Sequence, residues 1–258
     1  MRYRAEALGG QSPRQRGQEK TRLALDWVYR WGWSTPSTID LIGGSNRRGL
    51  AARLVRVGLL RETRSESGGA VRGVPAKILT LTEVGQSEIE RLRDELLPYD
   101  RDPYRIRQDQ LRHYQIAQSA TAQSLRDGKI AGFQTEQEIA EASASGVKQP
   151  DVVWLLPGGQ RIGVEIELTA KWGRDLDQFI RASLIALSQQ KNQQRPRFDL
   201  IAIVTDSPAI LRRYRSALEP GATFKLWQKD QRNHWQATGP ANVPESARGK
   251  ILWKLIED

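Results

Sequence analysis

The chain has 258 residues, with 40 Lys and Arg against 30 Asp and Glu, two His and no Cys. This length suffices for one large domain or two smaller ones with buried cores, and the composition is that of a folded protein. The lack of cysteine excludes disulfides, thiolate nucleophiles and cysteine-ligated zinc, and two histidines exclude a histidine-rich metal centre. No apolar run approaches the ~20 residues of a membrane helix, and no signal-peptide pattern is present. We therefore expect a cytoplasmic protein with no membrane partner.

Positive charge is concentrated at the amino-terminal end. The first 80 residues contain 15 Lys and Arg against 6 Asp and Glu, whereas the other 178 contain 25 against 24. A basic segment joined to a nearly neutral one favours a polyanion-binding module attached to a second domain. The alternative is that these arginines only make a small domain soluble.

The amino-terminal segment has the pattern of three helices, a hairpin and a fourth helix. Apolar spacing predicts helices that begin at Glu19, Pro36 and Ser45, and that end near residues 31, 42 and 57. Strands are predicted at 59–64 and 76–81 around a loop rich in Gly and Ser, followed by a helix at 82–97. This order is typical of a winged helix-turn-helix, in which the third helix enters the major groove of DNA.

Arginines lie on the third helix and the hairpin of this predicted domain. Phosphate contacts from such residues give affinity for double-stranded DNA but little sequence information. Winged helices also serve as dimerisation or docking modules, so that interpretation stays open. The candidate DNA-binding residues are Arg47, Arg48, Arg53, Arg56, Arg64 and Arg72.

We predict a domain boundary at Pro98, with a winged-helix domain at 1–98 and a second domain at 99–258. The second segment has a helix at 111–126, then strands at 130–135, 152–156 and 162–169. A helix at 172–190, a strand at 198–205, a helix at 208–218 and a strand at 223–227 follow. The αβββαβ order indicates an α+β protein whose second domain has a mixed sheet. Residues 251–256 fit either a strand or a helical turn.

Three carboxylates are predicted to meet in the hairpin formed by the second and third of these strands. Glu165 and Glu167 alternate with apolar residues and therefore lie on one face. A turn centred at Gly158–Gly159 would place Asp151 across from Ile166, within one residue of both glutamates. Acidic side chains this close repel one another unless a cation joins them.

Mg2+ or Mn2+ is the cation expected between these carboxylates, because both ions prefer carboxylate and carbonyl oxygens. Such an ion activates water and neutralises charge on a phosphodiester under attack. The alternative is that Glu165 and Glu167 only cover the solvent-facing side of an antiparallel strand.

The arrangement Pro150–Asp151, a hairpin, then Glu165-Ile166-Glu167 resembles the PD-(D/E)xK nuclease signature. The resemblance implies that Asp151 and Glu165 bind metal. The third position, which usually carries Lys, is Glu167 here, and Lys171 is the candidate to supply the missing positive charge.

A wider pattern is similar to the replication-relaxation family of plasmid proteins, which includes mobilization relaxases of the C type. It consists of LTEVG, LRHYQIAQS, TEQEIAEA and QPDVVWLLPGGQRIGVEIELTAK, and the similarity covers about residues 19–205. This resemblance implies binding to duplex DNA at a plasmid or mobile-element origin, strand nicking there, and other mobilization proteins as partners. By position, Glu136 or Glu138 matches an acidic residue upstream of the nuclease core.

The leading interpretation is a metal-dependent DNA endonuclease or relaxase in which Asp151, Glu165 and Glu167 bind metal and water attacks the phosphodiester. A tyrosine nucleophile is the other route, with Tyr99, Tyr104 and Tyr114 as candidates. His113 is expected to be structural rather than catalytic.

Other functions of the chain stay open. It could be a non-catalytic DNA-binding accessory factor or transcriptional regulator with a degenerate nuclease fold, or, less in keeping with the pattern, a restriction endonuclease. A homodimer is compatible with DNA binding, although no heptad pattern requires one.

Overall fold

The computed structural model describes residues 12–44, 49–140, 149–188 and 196–256. The chain forms two compact units, Met1–Lys129 and Ile130–Asp258, and both contain helices and strands. Within the described residues, no helix is both long and apolar enough to cross a membrane.

The first unit is formed by helices around one two-stranded antiparallel sheet. The order of three helices, a hairpin and a fourth helix is the one that the apolar spacing predicts. Its elements are α1 (Pro13–Trp31), α2 (Pro36–Ile42), α3 (Leu50–Arg56), β1 (Leu60–Arg64), β2 (Lys77–Leu81), α4 (Glu83–Glu90) and α5 (Leu111–Arg126).

Several helix ends differ from the prediction. Helix α1 begins six residues before Glu19, because Ser12 and Gln15 form a reciprocal capping box at its start. Helix α4 ends at Glu90 rather than near 97. Leu92 and Leu96 are each 61% exposed, so a longer helix would bury little apolar surface. The predicted cap of α3, Ser45, lies outside the described residues.

A short extended segment joins the hairpin of the first unit. Ser34 forms an isolated antiparallel bridge to Leu79, with hydrogen bonds of 2.9 and 2.8 Å in the two directions. Strand β2 therefore has β1 on one side and Ser34 on the other. Thr35 caps α2 directly after this bridge.

Helix α5 belongs to the first unit, although we predict it after a boundary at Pro98. It packs on α2, and its buried Gln118 connects three separate groups. The amide oxygen accepts hydrogen bonds from Trp27 Nε1 and Ser34 Oγ, and the amide nitrogen donates to the carbonyl of Trp33. Burying a polar side chain is favourable only when it is bonded in this way.

The second unit is built on a mixed five-stranded sheet with the strand order β3-β4-β5-β6-β9. Strands β3, β4 and β5 are antiparallel neighbours, and β6 and β9 continue the sheet in parallel with β5. The elements are β3 (Gly132–Thr135), α6 (Glu136–Ala140), β4 (Val152–Leu155), β5 (Arg161–Ile166), α7 (Gly173–Leu187), β6 (Leu200–Thr205), α8 (Pro208–Ala217), β7 (Thr223–Lys229), β8 (Trp235–Asn242) and β9 (Ile251–Leu255).

A large apolar cluster of this unit lies where α7 and α8 pack beside β6. Phe179, Ile203 and Tyr214 are buried there, and the rings of Phe179 and Tyr214 meet edge to face. Strand β9 settles the open interpretation of residues 251–256 in favour of a strand. Strand β8 has no counterpart in the prediction, because most of its side chains are exposed and show no apolar alternation.

The β4–β5 hairpin is in a different register from the predicted one. Val152 lies opposite Val164, whereas the prediction of Asp151 opposite Ile166 would place Val152 opposite Glu165. The reason is an odd number of loop residues: the turn is centred on Gly158, with Leu156 bonded to Gln160. Gly159 adopts φ +81°, a conformation that glycine reaches without strain.

Candidate functional site

The candidate site lies at one end of the strands of the five-stranded sheet, where β3, β5 and β6 end and β4 begins. We call this end the sheet edge. Thr135 and Val152 are paired across β3 and β4, so the next residues, Glu136 and Asp151, reach this edge on neighbouring strands. Polar groups at the carboxyl ends of parallel strands commonly form binding sites. The topology therefore brings acidic residues from separate strands to one place.

Asp151 is held beside Glu165 by two hydrogen bonds. The backbone N–H of Asp151 donates to the carbonyl of Val164 at 3.0 Å, and the N–H of Ile166 donates to Asp151 Oδ2 at 2.6 Å. These two partners are the residues immediately before and after Glu165. The bonds fix the half-buried carboxylate of Asp151 next to the backbone of Glu165.

A guanidinium interacts with Glu165. Arg197 is half-buried and donates a hydrogen bond to Gln149 Oε1 at 2.8 Å. Burial lowers the pKa of Arg197 and the nearby Arg161 lowers it further, whereas the charge of Glu165 raises it. The site therefore contains a positive group, which the sequence interpretation misses, because Arg197 is far from the acidic residues along the chain.

Glu167 occupies a buried position beyond the end of β5. Its N–H donates to the carbonyl of Val204 at 2.8 Å, and only 3% of the residue is exposed. Lys171 Nζ donates to both carboxylate oxygens, and Tyr214 Oη donates to Oε2 at 2.7 Å. Glu167 is thus neutralised by a lysine and a buried phenol from α8.

The Lys171 side chain connects this buried pair to solvent. It is 35% exposed, and its ammonium lies 5.0 Å from the ring centroid of Phe179. Burial raises the pKa of Tyr214, and the neighbouring charge of Glu167 raises it further. The phenol therefore stays protonated and serves as a donor.

The two upstream glutamates have different surroundings. Glu138 Oε2 accepts hydrogen bonds from the N–H and the hydroxyl of Thr135, at 2.8 and 3.1 Å, and so caps the first turn of α6. Glu136 is exposed at the sheet edge next to Asp151. Of the two, Glu136 is the more exposed.

The fit of a divalent metal depends on how the carboxylates of the predicted set are bonded. Among the described residues, no three Asp, Glu, His or Cys side chains form a group able to hold a metal ion. Of the predicted set, Glu167 has its oxygens bonded to Lys171 and Tyr214. Asp151, which accepts the bond from Ile166, and Glu165, which interacts with Arg197, are neighbouring carboxylates, the donor type that Mg2+ and Mn2+ take.

The candidate DNA-binding arginines are exposed wherever the structure describes them. Arg53 and Arg56 lie on α3, and Arg53 donates a hydrogen bond to Thr21 Oγ1 at 2.9 Å. Arg64 ends β1, and Arg72 lies in the loop before β2. The other two, Arg47 and Arg48, lie outside the described residues.

The candidate tyrosine nucleophiles differ in accessibility. Tyr99 accepts a hydrogen bond from the N–H of Leu81 at 2.7 Å, and burial raises its pKa. Tyr114 is half-buried, and the rings of Tyr114 and His113 meet edge to face with 5.8 Å between their centroids. Tyr104 is 84% exposed and so is the most accessible of the three.

Comparisons of the chain with protein-family models, with curated proteins and with solved structures found no match. The function is therefore inferred from the site and its surroundings.

Proposed function

We propose that the protein is a metal-dependent DNA endonuclease or relaxase that binds duplex DNA and nicks one phosphodiester bond at a plasmid or mobile-element origin in the cytoplasm. The observation that carries this proposal is the pair of carboxylates at the sheet edge. Asp151 is fixed by the N–H of Ile166 beside Glu165, and Lys171, five residues after β5 ends, is paired with Glu167.

The strand order supports a PD-(D/E)xK-like core for the second unit. An antiparallel β3-β4-β5 meander is followed by α7 and by β6 in parallel with β5. This is the βββαβ part of the αβββαβ order that the sequence pattern predicts. It is in keeping with Asp151 directly before the second strand and Glu165 on the third.

The order of elements in the first unit supports a winged helix. Three helices precede the β1–β2 hairpin, and the Ser34 bridge adds a third extended segment to it. Exposed arginines on α3 and the hairpin would contact phosphates, and a helix such as α3 would enter the major groove. Double-stranded DNA is therefore the proposed partner.

Each residue at the sheet edge has a proposed role. Asp151 and Glu165 would hold Mg2+ or Mn2+, which supplies an activated water and neutralises phosphate charge. Glu167 would position Lys171, whose ammonium would contact a phosphate oxygen. Glu136 is proposed as a further acidic contact from the neighbouring strand.

The test is nicking of a supercoiled plasmid that carries the protein's own origin, with Mg2+ or Mn2+. We expect the wild type to convert it to the open circular form. Asp151→Asn can still accept the bond from Ile166, so we expect it to fold and to lose nicking, as Glu165→Gln should. Glu245→Gln, at an exposed glutamate paired with Arg248, is the matched control. No nicking by the wild type with either ion would reject the proposal.

The same reaction distinguishes the two nucleophiles. With water as nucleophile, the nicked DNA is free of protein after denaturation. With tyrosine, protein remains covalently attached, and Tyr104→Phe is the first variant to examine because this phenol is the most exposed of the candidates.

A non-catalytic accessory factor is the second candidate, and the closed Glu167–Lys171 pair favours it. In that pair a carboxylate of the chain neutralises the ammonium that a nuclease would direct toward phosphate. Plasmid mobilization in cells separates the two candidates. If Asp151→Asn supports normal mobilization while Arg56→Ala with Arg64→Ala abolishes it, the protein acts by binding DNA. Other mobilization proteins, or a second copy in a homodimer, would then be its partners.

A further inference from the structure

Trp172 is an exposed tryptophan beside the candidate site. It directly follows Lys171, precedes α7 and is 66% exposed. The guanidinium of Arg213 lies over its ring, 3.2 Å from the centroid. Arg213 is itself fixed, because its Nε donates to the carbonyl of Lys171 at 2.9 Å. One face of the indole is therefore covered by a cation.

Arg174, two positions after Trp172 in the chain, lies beside a second exposed tryptophan. Trp235 on β8 is 39% exposed, and Arg174 and Lys229 lie 5.5 and 5.4 Å from its ring centroid. Arg174 also pairs with the adjacent Asp175 at 3.2 Å, but an exposed ion pair of this kind is weak. We call the five residues Trp172, Arg174, Arg213, Lys229 and Trp235 the tryptophan surface.

The composition of the tryptophan surface matches that of single-stranded nucleic acid sites. There, bases stack on aromatic rings while cations contact the phosphates, and stacking tolerates any base sequence. Two indoles interleaved with three cations provide both elements. The fixed guanidinium of Arg213 on one face of Trp172 orients the ring and leaves its other face for a base.

We propose that the tryptophan surface binds an unpaired DNA strand, with one base stacked on Trp172 and another on Trp235. This inference rests on the proposed function only in taking DNA as the substrate. It deepens that function, because a strand held on Trp172 would lie one residue from Lys171. The arrangement would favour melted or nicked DNA over intact duplex at the candidate site.

The experiment measures binding of fluorescein-labelled 12-nucleotide oligothymidine to the full chain in EDTA, by fluorescence anisotropy. Because stacking contributes on the order of 1–3 kcal/mol per base, Trp172→Ala should weaken binding about 5- to 150-fold. Trp235→Ala should weaken it less, and Trp172→Tyr should restore most of the affinity. Leu96→Ala, at an exposed apolar residue of the first unit with no proposed role in DNA binding, is the control and should bind as the wild type does.

The outcomes separate this inference from the proposed function. Loss of binding in Trp172→Ala but not in Asp151→Asn supports the strand-binding surface, whether or not the protein nicks DNA. Unchanged binding in both tryptophan variants overturns it. Binding to vesicles of phosphatidylserine and phosphatidylcholine that depends on Trp172, without binding to the oligonucleotide, also overturns it and identifies a membrane-facing surface instead.

Discussion

The two units differ in whether their candidate functional charges are exposed or buried. In the first unit, the described candidate arginines are exposed on α3 and the hairpin. In the second unit, Glu167 is buried and bonded to Lys171 and Tyr214, and Asp151 is fixed by a backbone N–H. Exposed charges can be removed with little effect on folding, whereas a buried ion pair loses stability when either partner is lost. Substitutions of the exposed arginines in the first unit should therefore change DNA binding without changing the stability of the fold. Substitutions at the buried ion pair in the second unit should change function and stability together.

Among the substitutions that test this comparison, Lys171→Ala should have the largest effect on the free energy of unfolding. It leaves the buried Glu167 carboxylate with only the Tyr214 hydroxyl, so we expect the free energy of unfolding to fall by about 3–5 kcal/mol. Urea denaturation followed by circular dichroism measures the change. Lys129→Ala, which breaks the exposed pair with Asp127, should cost about 1 kcal/mol or less. Equal losses of unfolding free energy in the two variants would show that the Glu167–Lys171 pair contributes no more to stability than an exposed pair does.

Alkaline pH tests the buried phenols. The folded state raises the pKa of both Tyr99 and Tyr214 above the ordinary value of 10.0. Unfolded phenols release protons above that pH while the folded ones keep theirs, so the free energy of unfolding falls as pH rises. At pH 11 each phenol should lower it by about 1.4 kcal/mol relative to pH 8. Tyr214→Phe should remove one such contribution. An unchanged pH dependence in this variant would contradict the assignment.

The smallest effect on stability is expected in the first unit. Arg56→Ala and Arg64→Ala should each change the free energy of unfolding by less than about 0.5 kcal/mol. Each should nevertheless reduce the salt dependence of duplex DNA binding by about one unit of log–log slope. Arg91→Ala, at an exposed arginine paired with Glu88, should leave the slope unchanged. A large loss of stability in Arg56→Ala would remove the contrast between the units.

Local patterns allowed the sequence to predict most elements of the fold. Helical spacing and caps indicated α2 and α5 closely, and alternation of apolar residues indicated the β1–β2 and β4–β5 hairpins. The proximity of Asp151 and Glu165 follows from a short hairpin, so it was predictable even though the register differs by one residue. The turn residues Pro157 to Gln160 do not by themselves distinguish an odd loop from an even one.

Contacts between distant parts of the chain could not be predicted. Tyr214 has the spacing of a core residue on α8, and only the packing of α8 beside β6 brings its hydroxyl to Glu167. Ser34 is predicted as part of a helix cap, yet its backbone pairs with Leu79, 45 positions further along the chain. Strand β8 was missed because its exposed residues carry no periodic pattern.

Gln118 determines how much chain an independent amino-terminal fragment would require. A fragment that stopped at Pro98 would lack helix α5 and would leave the Trp27 indole, the Ser34 hydroxyl and the Trp33 carbonyl without their buried acceptor or donor. A fragment that contains the first unit alone should therefore end after Lys129, so that it includes both Gln118 and the groups to which Gln118 is bonded.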